Sequence, residues 1–526
     1  MDYRNLLKLR NISKLDYNIF TKYINLSDHE FYGQCGSEHY RLLAYIATLF
    51  TQKDIIEIGT HRGSSALALS YNENNTIHTF DIVNNITNIK IQTKSNIKFY
   101  YDDLFNESIF EQYKDLILNS AFIFLDVDPH NGTMEYYLYN KLKNLNYQGF
   151  IICDDIWLFK DMRNNFWYKI EPMYKSDITY LGHFSGTGII NFNKNNIFPT
   201  YDNSNWTLIT AYFNLGNCSD ASNEIKQRDK NYYFNSALST LCLPYNLVIY
   251  CDKESFNDIK SIRPEFLSDK TKYIIMNFDD FIINDKNYSY YRDLINLNRQ
   301  NNPYQFDPRN TASYYLFCVA RYLMIKNAIE LNYFSNSTHF GWINFCIERM
   351  GYKNLVALDE ALYVKRDKFS TCYINYAPES LINDTKEYFK YGRCTMCSGF
   401  FTGNKYYMYT VCNKIIDKFV YYVNLGYGHA DEQLYSPVYF ENKNLFEHYF
   451  GDYTEMITNY KYVRDRPDQI VNIFIYNSYL HKDYKKCEEC CKFLLNSLCK
   501  NKCKMDKQNI KILYEYLIAL NNVIME

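Results

Sequence analysis

Between residues 42 and 192, short apolar runs alternate with stretches of helical spacing. The runs lie at residues 55–58, 77–80, 97–100, 122–125 and 150–153. Their separation, roughly 20 to 28 residues, leaves room for one crossover helix between successive parallel strands. This alternation predicts βαβ units building a doubly wound, Rossmann-like parallel sheet. A last run, 188–192, predicts an antiparallel edge strand. A polar stretch, 193–205, reads as a linker, and a second alternating block follows it. Strands are expected there at 208–212, 247–250, 273–276 and 340–345, with a long helix over 312–331. The block ends near Tyr453. From Asp468 to Glu526 apolar residues recur at three- and four-residue spacing, which predicts about three helices. The expected organisation is an α/β domain over 1–200, a second α/β domain over 204–455 and a helical region over 456–526.

Composition narrows the class of protein. The chain has 526 residues, 47% apolar and 22% charged, enough to bury sizeable cores. Its net charge is −2 without a basic stripe, so no nucleic-acid partner is expected. The polar N-terminus and the lack of a long apolar run predict a cytoplasmic protein without a membrane span, its 16 cysteines as free thiols. The 55 tyrosines and 36 phenylalanines sit beside abundant Asn, Lys and Ile, the signature of an AT-rich genome. Cys487 and Cys490 have zinc-ligand spacing. With Cys491 they also share a helix face, where cysteine is a small core residue. Cys394 and Cys397 allow the same two readings.

The first chemical motif is Glu57-Ile58-Gly59-Thr60-His61-Arg62-Gly63-Ser64-Ser65, directly after a strand. Gly59 and Gly63 bracket a strand-to-helix turn, where glycine permits positive φ or close approach to a ligand. The next strand ends in Asp81, where an acid accepts hydrogen bonds from ribose hydroxyls, as in dinucleotide folds. Residues 54–63 and Asp81 resemble the first two motifs of class I methyltransferases and lack the three-glycine dinucleotide fingerprint. The resemblance implies S-adenosylmethionine as cofactor, bound by Glu57, Gly59, Thr60, Gly63, Ser64, Asp81 and Asp126. It places Asp102 or Asp103, after the third strand, at the adenine, and gives Glu57 the cationic amino group of the methionine part.

Acids also end the fourth and fifth strands: Asp126 and Asp128, then Asp154 and Asp155. The carboxyl ends of such a sheet open on one crevice, and converging carboxylates repel unless a cation neutralises them. Oxygen ligands of this kind suit Mg²⁺ or Mn²⁺. The pattern resembles metal-dependent O-methyltransferases of the macrocin and cephalosporin-hydroxylase type, which implies Asp126, Asp154 and Asp155 as ligands. His130 is the candidate general base, since its ordinary pKa lies near neutrality. The alternative for Asp128 and Asp155 is helix capping.

In the second domain, Thr338-His339-Phe340-Gly341-Trp342-Ile343-Asn344-Phe345-Cys346-Ile347 resembles a strand of the HtrL/YibB-like glycosyltransferases. Residues 207–213, 246–252, 397–403, 429–433 and 451–453 extend that resemblance over about 206–455. It implies a GT-A fold, a UDP-sugar donor and a divalent metal. Thr210, Ala211, Tyr212, Asp252, Arg321, Lys326 and Asn344 fall at donor-binding positions, with Arg309 a further source of positive charge. Asn344 and His429 fall at metal-ligand positions. Asn344 departs from the expected acid and is a weaker ligand. Asp431 or Glu432 is the candidate base, or these acids simply favour a helix N-terminus. Trp342 stacks on a sugar or fills the core.

These readings combine into a bifunctional glycan-modifying enzyme. It methylates a sugar hydroxyl with S-adenosylmethionine and transfers a sugar from a nucleotide donor to a glycan acceptor. Two alternatives stand beside it: a methyltransferase whose second domain only binds the acceptor, and a non-enzymatic scaffold.

Overall fold

A computed structural model describes residues 12, 15–32, 34–171, 174–179, 181–182, 185–192, 205–243, 245–263, 265–302, 308–350, 358, 361–362, 364–390, 394–428, 430–500 and 503–525. The chain divides into two compact units, Met1–Tyr201 and Asp202–Glu526.

The first unit is built on strands β1 (Asp54–Ile58), β2 (Thr76–Phe80), β3 (Ile97–Tyr100), β4 (Phe122–Leu125), β5 (Phe150–Cys153), β6 (Lys175–Asp177) and β7 (Gly188–Asn191). Their order is β3-β2-β1-β4-β5-β7-β6. The first five run parallel, and β7 is antiparallel to both of its neighbours. β4 and β5 are buried at every position because helices cover both faces, so they read as unbroken apolar runs. The order reverses between β1 and β4, the switch point at which open α/β sheets bind ligands. Helices α1 (Gln34–Thr48), α2 (Ser64–Leu69), α3 (Glu107–Asn119) and α4 (Thr133–Asn144) connect and flank these strands. One expectation fails: the 188–192 run is not an edge strand, because β6 pairs outside it. β6 is Lys-Ser-Asp, so no apolar run announces it.

The second unit holds β8 (Trp206–Tyr212), β9 (Asn246–Cys251), β10 (Thr271–Ile275), a two-stranded hairpin of β11 (Ile282–Ile283) and β12 (Lys286–Asn287), β13 (His339–Ile343), β14 (Phe369–Tyr373), β15 (Met396–Asn404) and β16 (Phe446–Phe450). Its main sheet has the order β10-β9-β8-β13-β15-β14-β16, with β15 antiparallel to both neighbours. The helix expected over 312–331 is α5 (Ala312–Leu331), capped by the Thr311 hydroxyl. It is apolar nearly all round because it is buried nearly all round. Helices α6 (Lys405–Asn424) and α7 (Glu432–Glu441) follow. After residue 466, helical segments over Pro467–Leu480, α8 (Tyr484–Cys499) and α9 (Lys507–Met525) pack into the same core as α5 and α6. No helix among the described residues is long and apolar enough to cross a membrane.

Candidate functional site

In the first unit, the chemistry collects at the carboxyl ends of β1, β2, β4 and β5. Gly59 leaves β1 at φ +101°, and a Cβ there would lie 1.7 Å from the carbonyl oxygen of Asp126. The glycine is therefore demanded by the packing of β1 on β4, whether or not a ligand approaches. Gly63, at φ +83°, caps α2, whose first residue is Ser64. Asp81 ties β2 to this turn: its Oδ2 accepts the His61 N–H at 2.8 Å and its Oδ1 the Val83 N–H at 3.1 Å. Behind the turn, the Thr60 and Thr79 hydroxyls meet at 2.5 Å, and Thr79 donates to Glu57 Oε2. Glu57 is fully buried, and its Oε1 has no partner at hydrogen-bond distance. Burial pushes its carboxyl up to about 8, opposed by the nearby Ser65 and Thr79 hydroxyls and reinforced by Asp126 and Asp81. Asp102 accepts the Tyr113 hydroxyl at 2.7 Å, whereas the exposed Asp103 accepts the Phe105 N–H at 2.9 Å.

The acids after β4 and β5 surround His130. His130 Nδ1 lies 3.8 Å from Asp126 and 3.5 Å from Asp155, and its Nε2 lies 3.2 Å from Asp128. The ring stacks on Phe159 with centroids 5.1 Å apart. His130 and Asp155 both hold left-handed backbone, at φ +50° and +57°. Each such non-glycine residue costs about 1–3 kcal/mol, and such strain clusters at functional sites. Ligand atoms of Asp126, His130 and Asp155 lie within 4.8 Å of one another.

Asp154, expected as a ligand, is outside this group. Its buried side chain turns to the Ser185 hydroxyl at 3.4 Å and to His39 Nε2 at 3.8 Å. Both residues lie beyond the end of β5, and the left-handed backbone of Asp155 sends its side chain to His130 while that of Asp154 goes to His39 and Ser185. Burial, followed by neighbouring carboxylates, raises both Asp126 and Asp154. Burial also pushes His39 down to about 4, which leaves it a neutral imidazole.

In the second unit, a cavity of about 410 Å³ opens beyond the carboxyl ends of β8 and β13. Ala211, Tyr212, Arg321, Asn344, Asp431 and Glu432 line it as expected, and Arg309 does too. Thr210, Asp252 and Lys326 do not. Thr210 is fully buried within β8, short of the strand end at Tyr212. Asp252 accepts the backbone N–H groups of Asn214 and Ser255, at 2.7 and 2.8 Å, as a turn cap. Lys326 sits over the Tyr409 ring, 5.7 Å from its centroid, on the face of α5 that meets α6. His429 lies outside the described residues. Trp342 is buried, with its indole N–H donated to Asn344 Oδ1 at 3.0 Å.

The acid pair of this cavity is differentiated. Asp431 forms a buried ion pair with Arg321 at 3.0 Å. Glu432 accepts the Ser398 N–H and hydroxyl, both at 3.1 Å, and the Tyr453 hydroxyl at 2.5 Å. Burial, then the charge of Asp431, raises the Glu432 carboxyl. Arg228, Tyr233, Arg349 and Tyr453 also line the cavity, and sequence reasoning missed Arg228 and Arg349 because each stands alone without a motif. Cys487, Cys490 and Cys491 are buried in the apolar core. Among the described residues, Asp126, His130 and Asp155 form the one group of three metal-ligand side chains.

Residues 204–461 match a family described as "Bacterial protein of unknown function (HtrL_YibB)". The motif-based span of about 206–455 falls inside that match. No curated protein matches the chain. Among solved structures, the cofactor-bound protein Rv0187 from MTB is 14% identical over 29% of this chain and 79% of its own, with a TM-score of 0.23. Fibrillarin from Aeropyrum pernix, with natively bound S-adenosyl-L-methionine, is 12% identical over 28% of this chain and 71% of its own, TM-score 0.20. A cyclopropane-fatty-acyl-phospholipid synthase-like protein from Lactobacillus casei is 11% identical over 22% of this chain and 51% of its own, TM-score 0.17.

Proposed function

We propose that the first unit transfers a methyl group from S-adenosylmethionine to a sugar hydroxyl, and that the second transfers a sugar from a nucleotide-sugar donor. The observation carrying the first reading is the gathering of Glu57, the glycine turn, Asp81 and the Asp126–His130–Asp155 group at adjoining strand ends beside a switch point. The unpartnered Glu57 Oε1 fits a cationic ligand group, because a buried carboxyl oxygen left unmatched costs free energy.

S-adenosylmethionine, when bound, supplies the methyl on a sulfonium centre. Glu57 pairs with the ammonium of its methionine part, and Asp81, already fixed by two backbone N–H groups, accepts from the ribose. Asp102 or Asp103 serves the adenine side. A divalent cation at Asp126, Asp155 and His130 Nδ1 supplies charge that makes an acceptor hydroxyl more acidic. Asp128, on the opposite ring nitrogen, orients His130 as a second-layer carboxylate does for a ligating imidazole. His130 would then be a ligand and not the base expected from sequence. As the acceptor oxygen takes the methyl and the sulfonium S–C bond breaks, the hydroxyl proton would pass to solvent, with the exposed Asp128 carboxylate beside the site. Much of the rate comes from holding hydroxyl and methyl in line.

In the second unit, Asp431 is committed to Arg321, and both Glu432 oxygens accept from Ser398 and Tyr453. Glu432, whose carboxyl is the one raised, is the better suited of the two to take a proton from an acceptor hydroxyl. Asn344, in place of an acid, favours the second reading of this unit as an acceptor-binding module.

The test is mass spectrometry of glycan acceptors incubated with the full chain, S-adenosylmethionine and UDP-sugars. A methyl gain that is lost on chelation and in Asp155→Asn supports the first unit's assignment. No S-adenosylmethionine binding by calorimetry refutes it. A sugar gain lost in Glu432→Gln supports the second, whereas a methyl gain alone favours the acceptor-binding reading.

A further inference from the structure

The second unit's cavity carries more positive charge than its acids answer. Of its lining arginines, Arg321 is neutralised by Asp431. Arg228 and Arg349 have no carboxylate partner among the described residues. Arg349 lies over the Tyr232 ring, 4.2 Å from its centroid, and meets Cys346 Sγ at 3.9 Å. Arg228 lies over the same ring at 5.2 Å. Two guanidinium groups are thus gathered at one tyrosine; Arg228 also hydrogen-bonds the Tyr233 side chain, and their remaining N–H groups can meet an anion that accepts bidentate hydrogen bonds. Like charges brought together this way repel one another, and a polyanion relieves that repulsion.

The same cavity is poorly equipped for a divalent cation. At the position where the resemblance implies a metal-binding acid stands Asn344, and its Oδ1 accepts the Trp342 indole N–H. Both Glu432 oxygens are occupied by Ser398 and Tyr453. Among the described residues of this unit, no three metal-ligand side chains converge.

We propose that this cavity holds the diphosphate of a nucleotide ligand through Arg228 and Arg349, without a divalent cation. The proposal rests on the nucleotide-sugar reading above, and it reverses that reading's expected metal. The two arginines take the role of the cation: their fixed charges face the oxygens on which negative charge grows as the sugar leaves.

The experiment is calorimetry of the full chain with UDP and with inorganic pyrophosphate, each in EDTA and in Mn²⁺. The expected result is UDP binding of equal strength in both media. Arg228→Gln and Arg349→Gln should each weaken it about tenfold, the size of one lost charge-assisted hydrogen bond. Arg228→Lys, which keeps the charge, should lose less than Arg228→Gln and guards against a folding defect in that variant. Binding in EDTA that neither substitution changes overturns the arginine assignment. Binding that appears only with Mn²⁺ overturns the cation-free site while leaving the nucleotide reading intact. Pyrophosphate binding that needs the arginines, with none of UDP beyond it, upholds the anion site and sinks the nucleotide reading. Binding of neither probe sinks both.

Discussion

Glu57 is an acid that the fold keeps protonated, and this has a measurable consequence. Its carboxyl titrates near 8 in the folded chain and near about 4.3 when unfolded. The stability it contributes is therefore complete below about pH 4.3 and is lost as pH rises toward 8. In Glu57→Gln this loss disappears, which thermal melts across that range would reveal. A cationic ligand favours the ionised carboxylate, so S-adenosylmethionine binding should release a proton at neutral pH and tighten as pH approaches 8. Binding heats that are identical in buffers of different ionisation enthalpy would refute this role. Asp431 poses the opposite case, an acid whose charge is needed. Asp431→Asn leaves the Arg321 guanidinium charged and unpaired in the interior, and denaturation should show a loss of about 3–5 kcal/mol. Replacing the exposed Asp103 with Asn should change stability by under about 0.5 kcal/mol.

At the scale of elements, the strands legible in the sequence are those written in β-branched and aromatic apolar residues, whether buried throughout or, like β3 and β10, only in part. β4 and β5 are covered on both faces, so their apolar runs mark them directly. β14, β15 and β16 are almost as buried, yet they were not foreseen as strands. Their segments, FSTCY, MCSGFFTGN and FEHYF, fill buried positions with Ser, Thr, Cys, Gly and His, which read as turns until their partners are known. The junction of β1 and β4 carries its own test. Gly59→Ala would drive a methyl into the Asp126 carbonyl at a positive φ, and should cost about 4–5 kcal/mol or abolish folding. A Gly59→Ala protein with an unaltered denaturation midpoint would contradict the close approach of Gly59 to Asp126 at this junction.

At the scale of the whole molecule, the tail decides where the second unit ends. Ile470, Phe474, Cys487, Leu494 and Leu513 share one apolar core with α5 and α6. A fragment of residues 202–526 should accordingly melt cooperatively. A fragment ending at 466 should be insoluble or expanded, because it exposes that core to water. A well-folded 202–466 fragment with native-like melting would show the tail to be an accessory.

Sequence by itself determined the succession of β and α segments in the first unit, the glycine turn and the acids at its strand ends, because those features follow from local spacing and from which residues a buried strand tolerates. It also determined the helix over 312–331, whose apolar length needs no partner to be read. Tertiary structure alone decided how the acids divide. Asp155 joins Asp126 and His130 while its neighbour Asp154 turns to His39, since side-chain direction depends on how the chain leaves the strand. It alone brought Arg228 and Arg349, 121 positions apart in the sequence, to one tyrosine ring. Such charges carry no local pattern, and only the folded sheet sets them side by side.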